Sequence, residues 1–261
     1  VDLLWFPTGG GKTEAYLGLA AFEIFRRRLA SATGEGTVVL KRYTYRVLTF
    51  QQFERAGAVI CACELIRRSR NDLGEEPITI GMWVGGSNTP NRRDAAIEML
   101  PRISAEENPF QIRKCPWCGT KLMGERRGEN RIEEHRSCIR FRCRDPRCPF
   151  GRGHCGDHVC QQRDECIGIP MLLVDDDLYD YPPSMVVATI DKFAQLPWLE
   201  EVGRLFGDRG TGSPDRDPPS LFIQDELHLI NGSLGTLAAM FEAAIDVICE
   251  RRGVRPKIIG A

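Results

Sequence analysis

With 261 residues and 42% hydrophobic side chains, the chain is long enough to bury one large core or two small ones, which excludes intrinsic disorder over most of it. Its 35 Lys and Arg against 36 Asp and Glu leave a net charge of -1, so any charge preference for a partner has to be local. No apolar run approaches the roughly 18 residues of a membrane helix, and VDLLWFPTGG lacks the grammar of a signal peptide, so the chain reads as soluble and cytoplasmic with no membrane partner.

Leu3 to Phe6 is a strand-like apolar run ended by Pro-Thr-Gly-Gly-Gly, and the following EAYLGLAAFEIFRRRLA, apolar nearly all round, predicts a buried helix. Val38 to Leu40 reads as the next strand, Thr49 to Arg70 as a helix carrying Phe50, Phe53, Ile60 and Leu65, and Ile78 to Val84 as a strand stopped by Gly85-Gly86. This β-α-β-α-β rhythm breaks at Gly86 and resumes near Pro182-Pro183, a gap too long for an ordinary loop. It predicts an inserted module over 86–182 within a parent domain formed by 1–85 and 183–261. After the gap come a strand at Met185 to Ala188, a helix at Asp191 to Leu205, a polar loop at Asp208 to Pro219 and a strand at Leu221 to Ile223. Thr236 to Arg252 is amphipathic, with Leu237, Met240, Phe241, Ala244, Ile245 and Ile248 at helical spacing, and Lys257 to Gly260 opens a last strand. The alternation predicts an α/β fold with a parallel sheet flanked by helices. The chain starts and stops inside strands and lacks an initiator Met, so a piece of a longer protein is expected.

The run Phe6-Pro7-Thr8-Gly9-Gly10-Gly11-Lys12-Thr13 stands between a predicted strand and a predicted helix. In that setting glycines let successive amides turn inward onto phosphate oxygens, and the helix N-terminus adds its dipole. Thr8, Gly9, Gly10 and Gly11 are expected to cradle the phosphates of a nucleotide, with Lys12 on the β and γ phosphates and Thr13 offering its hydroxyl to Mg2+. Phe6 stands where the strict pattern has a Gly, and the bland alternative is a Gly-rich turn before a helix. The complementary half is Leu-Phe-Ile-Gln-Asp225-Glu226-Leu-His228 at a strand end. Asp225 is expected to hold Mg2+ and Glu226 to act as general base toward the attacking water, unless the pair only caps the next helix.

Eight of the eleven cysteines crowd between Cys115 and Cys166, which argues for metal rather than disulfides. Residues 113–152 hold 12 Lys and Arg against 5 Asp and Glu, so a basic segment is set within an acidic remainder. Cys115-Pro-Trp-Cys118-Gly has the two-residue gap that turns both thiolates toward one ion. Cys143 and Cys148 are expected to close a structural four-cysteine zinc site, the centre of a ribbon-like segment over 113–167, with Cys138 as the competing fourth ligand. Cys155, His158, Cys160 and Cys166 form a candidate second site, whereas Cys61, Cys63 and Cys249 lie in helical patterns and are expected to be buried and inert. Arg140, Arg142, Arg144 and Arg147 around the ligands read either as a phosphate track or as a solvated face paired with acids such as Glu133, Glu134 and Asp145.

Pro-Thr-Gly-Gly-Gly-Lys-Thr together with Asp-Glu-Leu-His resembles motifs I and II of superfamily 2 helicases. Arg42-Tyr-Thr-Tyr-Arg46 through Gln51-Gln52, the Gly85-Gly86 turn and Ala188-Thr189-Ile-Asp-Lys-Phe193 fall where that family places DNA-contacting motifs, and Gly260-Ala261 looks like the first half of motif III. RYTYRVLTFQQFERA, PPSMVVATIDKFAQLPW and QDELHLINGSLGTL are similar to the DrmA-like helicases of the DISARM anti-phage defence system. The resemblance implies a first RecA-like domain that binds and hydrolyses ATP with Mg2+, DNA contacts at Arg46, Gly86 and Thr189, and coupling of the two through His228. It also implies a second RecA-like domain with arginine fingers elsewhere in the full-length protein, and a defence-system partner subunit. Two alternatives stand beside it. Another P-loop enzyme such as a GTPase is disfavoured by the missing Asn-Lys-x-Asp motif; a zinc-dependent docking module on an inactive nucleotide-binding domain is disfavoured by intact Lys12, Thr13, Asp225 and Glu226.

Overall fold

The computed structural model describes residues 2–3, 11–30, 34–43, 50–86, 89–104, 106–124, 131–135, 137–151, 154–155, 158–159, 168–195, 198–208, 216–225 and 232–260. In chain order the elements begin β1 (Asp2–Leu3), α1 (Lys12–Ala30), β2 (Val39–Tyr43), α2 (Phe50–Arg68), β3 (Ile80–Trp83) and α3 (Arg93–Met99). The cysteine-rich stretch adds β4 (Ile132–Glu134), β5 (Ile139–Phe141), β6 (His154–Cys155) and β7 (His158–Val159). Then come β8 (Met171–Leu172), α4 (Asp175–Asp180), β9 (Met185–Thr189), β10 (Leu221–Gln224), α5 (Gly232–Glu250) and β11 (Lys257–Gly260). The chain forms two compact units, one of residues 1–49, 72–74 and 179–261, the other of residues 50–71 and 75–178.

In the first unit the strands run parallel in the order β1, β11, β10, β2, β9, with Leu221 paired to Val39, Gln224 to Arg42 and Arg42 to Ala188. Strands of a parallel sheet covered on both faces read as unbroken apolar runs, which is why β9 and β10 are legible in sequence. Strand β2 departs from this. It runs on through Lys41, Arg42 and Tyr43, all buried, where the apolar run alone predicts an end at Leu40. Successive strand residues face opposite ways, and the contacts follow. Lys41 meets Tyr16 of α1, while Arg42 lies over the Phe193 and Phe222 rings and bonds Glu242 of α5 at 2.5 Å.

Helix α1 buries Tyr16, Leu17, Ala20 and Ile24, but Leu19, Phe22 and Leu29 are exposed, so it is covered on one side rather than all round. Near its end, buried Arg27 donates to the carbonyls of Thr37, Pro218, Glu35 and Asp217 and so ties α1 to the approaches of β2 and β10. In α5 the buried residues include Ala238, Ile245 and Cys249, whereas Met240, expected on the core face, is 64% exposed. The helix expected over Asp191 to Leu205 is instead two 3-10 turns, Ile190–Gln195 and Glu200–Phe206. Pro197 stands between them, and a proline within a helix removes a donor and clashes with the preceding turn.

In the second unit β3 and β8 pair in parallel, and β4 with β5 and β6 with β7 form antiparallel pairs. Asp177 of α4 is fully buried and accepts from Arg93 Nε at 2.6 Å and from the Ile139 amide at 2.8 Å, joining α3 to β5. Helix α2 packs on the cysteine-rich stretch at a glycine. A Cβ on Gly57 would sit 3.4 Å from both Pro116 Cβ and Met171 Sδ. Further along α2, Arg68 lies over the Phe150 ring, and buried Glu64 accepts from Arg67, Arg68 and the Ile78 amide.

These two environments separate two glycine substitutions. Gly57→Val forces branched atoms into an occupied space and is expected to cost about 1–3 kcal/mol. Gly18→Ala on the exposed side of α1, where an added Cβ meets nothing within 4 Å, is expected to gain about 0.5–1 kcal/mol. Urea unfolding of both variants beside the parent reads the contrast, and equal midpoints for Gly57→Val and the parent would refute the close packing of α2.

Candidate functional site

Strand β10 delivers Asp225 to the carboxyl end of the sheet, where its amide still bonds the Arg42 carbonyl at 3.3 Å. The carboxyl edge of a parallel sheet is where α/β proteins place their ligands. Helix α1 begins beside it. Gly11 adopts φ +80°, a left-handed turn that side-chain-bearing residues resist, and its carbonyl accepts the first helical bond from Ala15. Lys12 and Thr13 thereby occupy the first turn of the helix.

Asp225 is 3% exposed, and its carboxylate is met by groups of α1 and β2. Lys12 Nζ lies 3.6 Å from Oδ1, Lys41 Nζ lies 3.4 Å from Oδ2, and the Tyr16 hydroxyl donates to Oδ2 at 2.8 Å. The same hydroxyl is 3.2 Å from Thr13 Oγ1. The Lys41 ammonium sits 3.6 Å from the centroid of the Tyr16 ring and 4.4 Å from that of Tyr43, a cation held between two aromatic faces. Burial pushes Lys41 down to about 7, against the pull of the Asp225 carboxylate, and burial also raises the Tyr16 and Tyr43 hydroxyls well above the usual phenol range.

Lys12, Thr13 and Asp225 are thus brought together, and Gly11 closes the turn ahead of them. Thr8, Gly9, Gly10, Arg46, Glu226 and His228 lie outside the described residues. Gly86 is exposed in the turn after β3 of the second unit. Thr189 ends β9 in the first unit, 1% exposed, with its Oγ1 unpartnered among the described residues. The residues that motif reading misses are Tyr16, Lys41 and Tyr43. A signal for Lys41 and Tyr43 does exist: two positions apart on one strand, they share a face, and a charge inside a buried strand requires a counter-charge nearby.

The second unit holds a separate cluster. The Sγ atoms of Cys115, Cys118, Cys143 and Cys148 all lie within 4.8 Å of one another, with 3.9 Å between Cys115 and Cys148 and 3.4 Å between Cys118 and Cys143. A tetrahedral thiolate site with bonds of about 2.3 Å requires sulfurs about 3.8 Å apart, so these four fit a metal ion such as zinc. Each pair sits on a tight backbone loop. Cys115 N bonds the Thr120 carbonyl at 2.8 Å and Gly119 N the Cys115 carbonyl at 2.9 Å; in the other loop, Cys143 N bonds the Phe150 carbonyl at 2.9 Å. Gly151 is required there, since a Cβ would fall 2.6 Å from the Asp145 carbonyl.

Burial holds the Cys115 thiol up at about 12 and raises those of Cys143 and Cys148. Exposed Cys118 is brought down to about 7: its slight burial works the other way, and hydrogen bonds with Thr120 and with the Cys143 and Cys115 thiols together outweigh it. Ion binding has to draw off the remaining protons, which ties affinity to pH. Cys138, the competing ligand, is buried apart from the cluster with its sulfur 3.8 Å from the Ile139 carbonyl. Cys155 and His158 are backbone partners in the β6–β7 register, and Cys160 and Cys166 lie outside the described residues. Cys61, Cys63 and Cys249 are buried, each thiol raised by burial. Of the arginines around the ligands, Arg142 is buried against Glu133 at 2.5 Å and Arg147 pairs with Asp145 at 3.3 Å, as expected for a locally neutralised face.

Fold and site together define a parallel-sheet α/β protein with a carboxylate met by lysines at the sheet's carboxyl edge and, in the second unit, four cysteines placed to hold a metal ion. Among the described residues no helix is long and apolar enough to cross a membrane. No family model matches the sequence. The chain is, however, 35% identical to the DISARM protein DrmA of Bacillus paralicheniformis, over an alignment of 305 residues that takes in 100% of this chain and 26% of that protein. The similarity runs along the whole of this chain, which spans about a quarter of the relative it matches.

Elemental analysis of the native protein is expected to find a metal ion held by this cluster. Cys115→Ser is expected to release it, removing part of an apparent ~10–16 kcal/mol of folding support if the ion is zinc, while Cys138→Ser retains it. Native protein without metal, or equal loss in both variants, would remove the four-cysteine assignment.

Proposed function

We propose that the chain is the ATP-binding and hydrolysing part of an ATP-dependent DNA helicase or translocase of superfamily 2, acting in anti-phage defence of the DISARM type. The observation that carries this reading is the meeting of Lys12, at the start of α1, with Asp225, at the end of β10, 3.6 Å apart although 213 positions separate them. The similarity to DrmA supports the defence setting. On this reading residues 1–85 and 183–261 form the RecA-like parent, and 86–182 the module that carries the four-cysteine cluster as a structural zinc site.

Thr8, Gly9, Gly10 and Gly11 wrap the phosphates of ATP, and Lys12 neutralises the β and γ oxygens. Thr13 and Asp225 hold Mg2+, which when bound offsets the charge of the transferring phosphoryl group. Glu226 takes the proton of the attacking water. Arg46, Gly86 and Thr189 belong to the nucleic-acid path. A second RecA-like domain in the longer protein supplies arginine fingers, whose absence costs about 10³–10⁵ in related nucleotide hydrolases, so the chain by itself turns over little.

In the full-length protein Glu226→Gln is expected to bind ATP but not hydrolyse it, while Lys12→Ala loses both. Steady-state hydrolysis and equilibrium binding of a fluorescent ATP analogue separate the two. Glu226→Gln turning over at the rate of the parent protein would end the assignment of Glu226 as base, and DNA-stimulated hydrolysis by residues 1–261 alone would contradict the need for a second domain.

A further inference from the structure

The proposed site uses Lys12 and Asp225 but leaves Lys41 unexplained, and Lys41 is an expensive residue to place where it is. It is 1% exposed in the middle of a parallel sheet, paired through its strand to β10 on one side and β9 on the other. An ammonium buried to that extent is tolerated only with a close counter-charge, and its neighbours are the Tyr16 and Tyr43 rings and Asp225 Oδ2. The two carboxylate oxygens are treated differently. Oδ2 takes both Tyr16 and Lys41, groups fixed in the interior, whereas Oδ1 takes Lys12, whose side chain is 28% exposed on the first turn of α1.

We infer that Lys41 is the fixed counter-ion of Asp225, a positioning residue that together with Tyr16 holds Oδ2 so that Lys12 can leave Oδ1 for a nucleotide phosphate. The inference rests on the proposed function for the departure of Lys12. Its physical basis is the cost of an uncompensated carboxylate. Were Lys12 the sole cation at Asp225, every movement of Lys12 toward phosphate would strand a charge that is 3% exposed. Lys41 stays where its strand holds it, so the carboxylate remains neutralised and oriented while Lys12 exchanges one anion for another. The two rings suit this role, because they offer the ammonium a favourable surface without competing for its charge.

The test is a double-mutant cycle in the full-length protein with two readouts. In the first, Lys41→Met lowers the thermal transition by roughly 5 °C or more, and adding Asp225→Asn to it restores much of the loss, because no unpaired charge then remains. Additive losses would overturn the pairing. In the second, Lys41→Met weakens binding of a non-hydrolysable fluorescent ATP analogue about tenfold, since Asp225 then retains Lys12, and Lys41→Arg recovers part of the affinity. Unchanged affinity in Lys41→Met overturns the positioning role, as does a loss that Lys41→Arg leaves untouched. A parent protein that binds no nucleotide at all instead overturns the proposed function, and the counter-ion assignment is then decided by the stability cycle alone.

Discussion

A carboxylate withdrawn from water governs the organisation of the first unit. Asp225 needs its charge balanced within a few ångströms, and elements other than the strand that carries it contribute to that balance: α1 through Lys12 and Tyr16, and β2 through Lys41. The adjacency of β2 and β10 is therefore more than a packing preference. A slip of one residue in that pairing would turn Lys41 to the opposite face and bring Arg42 or Leu40 to the carboxylate instead. The same strand meets an analogous demand on its other face, where Arg42 is compensated by Glu242. Two consecutive buried cations of β2 thus tie both helical layers to the sheet electrostatically as well as by apolar burial.

The second unit solves a different problem. Its cysteine-rich stretch has short strands and a small apolar core that includes Phe110, Ile112, Phe141 and Phe150, beside which four sulfurs are spaced to take one ion. The stretch is nonetheless not a freely hanging attachment, because α2 leans on it through Gly57 and Arg68. Its positive charge is also partly spent internally, as Arg142 and Arg147 each face a carboxylate of the same stretch.

What was legible in the residues follows from what each signal measures. Strands β3, β9, β10 and β11 are short apolar runs bounded by Gly, Pro or polar residues, and they appear within two residues of the expected limits. The Cys115, Cys118, Cys143, Cys148 set was legible because two close pairs restrict the geometry, though spacing alone left Cys138 in competition. Lys12, Thr13 and Asp225 were legible because local motifs mark them. Tyr16 was not, and Lys41 was marked only as a charge on a buried strand in want of a partner, since the carboxylate that answers both is decided when α1, β2 and β10 come together. Hydrophobic spacing also misassigned the core face of α5 and the full burial of α1, because it measures how apolar a face is and not what covers it. The single helix over 191–205 failed because its periodicity outweighed Pro197.

Arg26 and Arg27 are adjacent on α1 yet belong to different electrical environments. Arg26, half exposed, pairs with the less exposed Glu23 at 2.7 Å, an ion pair near the surface that dissolved salt weakens. Arg27 is buried and donates to carbonyl dipoles of the segments ahead of β2 and β10. Withdrawn from water, those bonds are screened much less, so the fastening between the tail of α1 and the sheet depends less on ionic strength than the Arg26 pair does. Two arginines one residue apart divide the work accordingly, one tuned by the surrounding electrolyte and the other much less so.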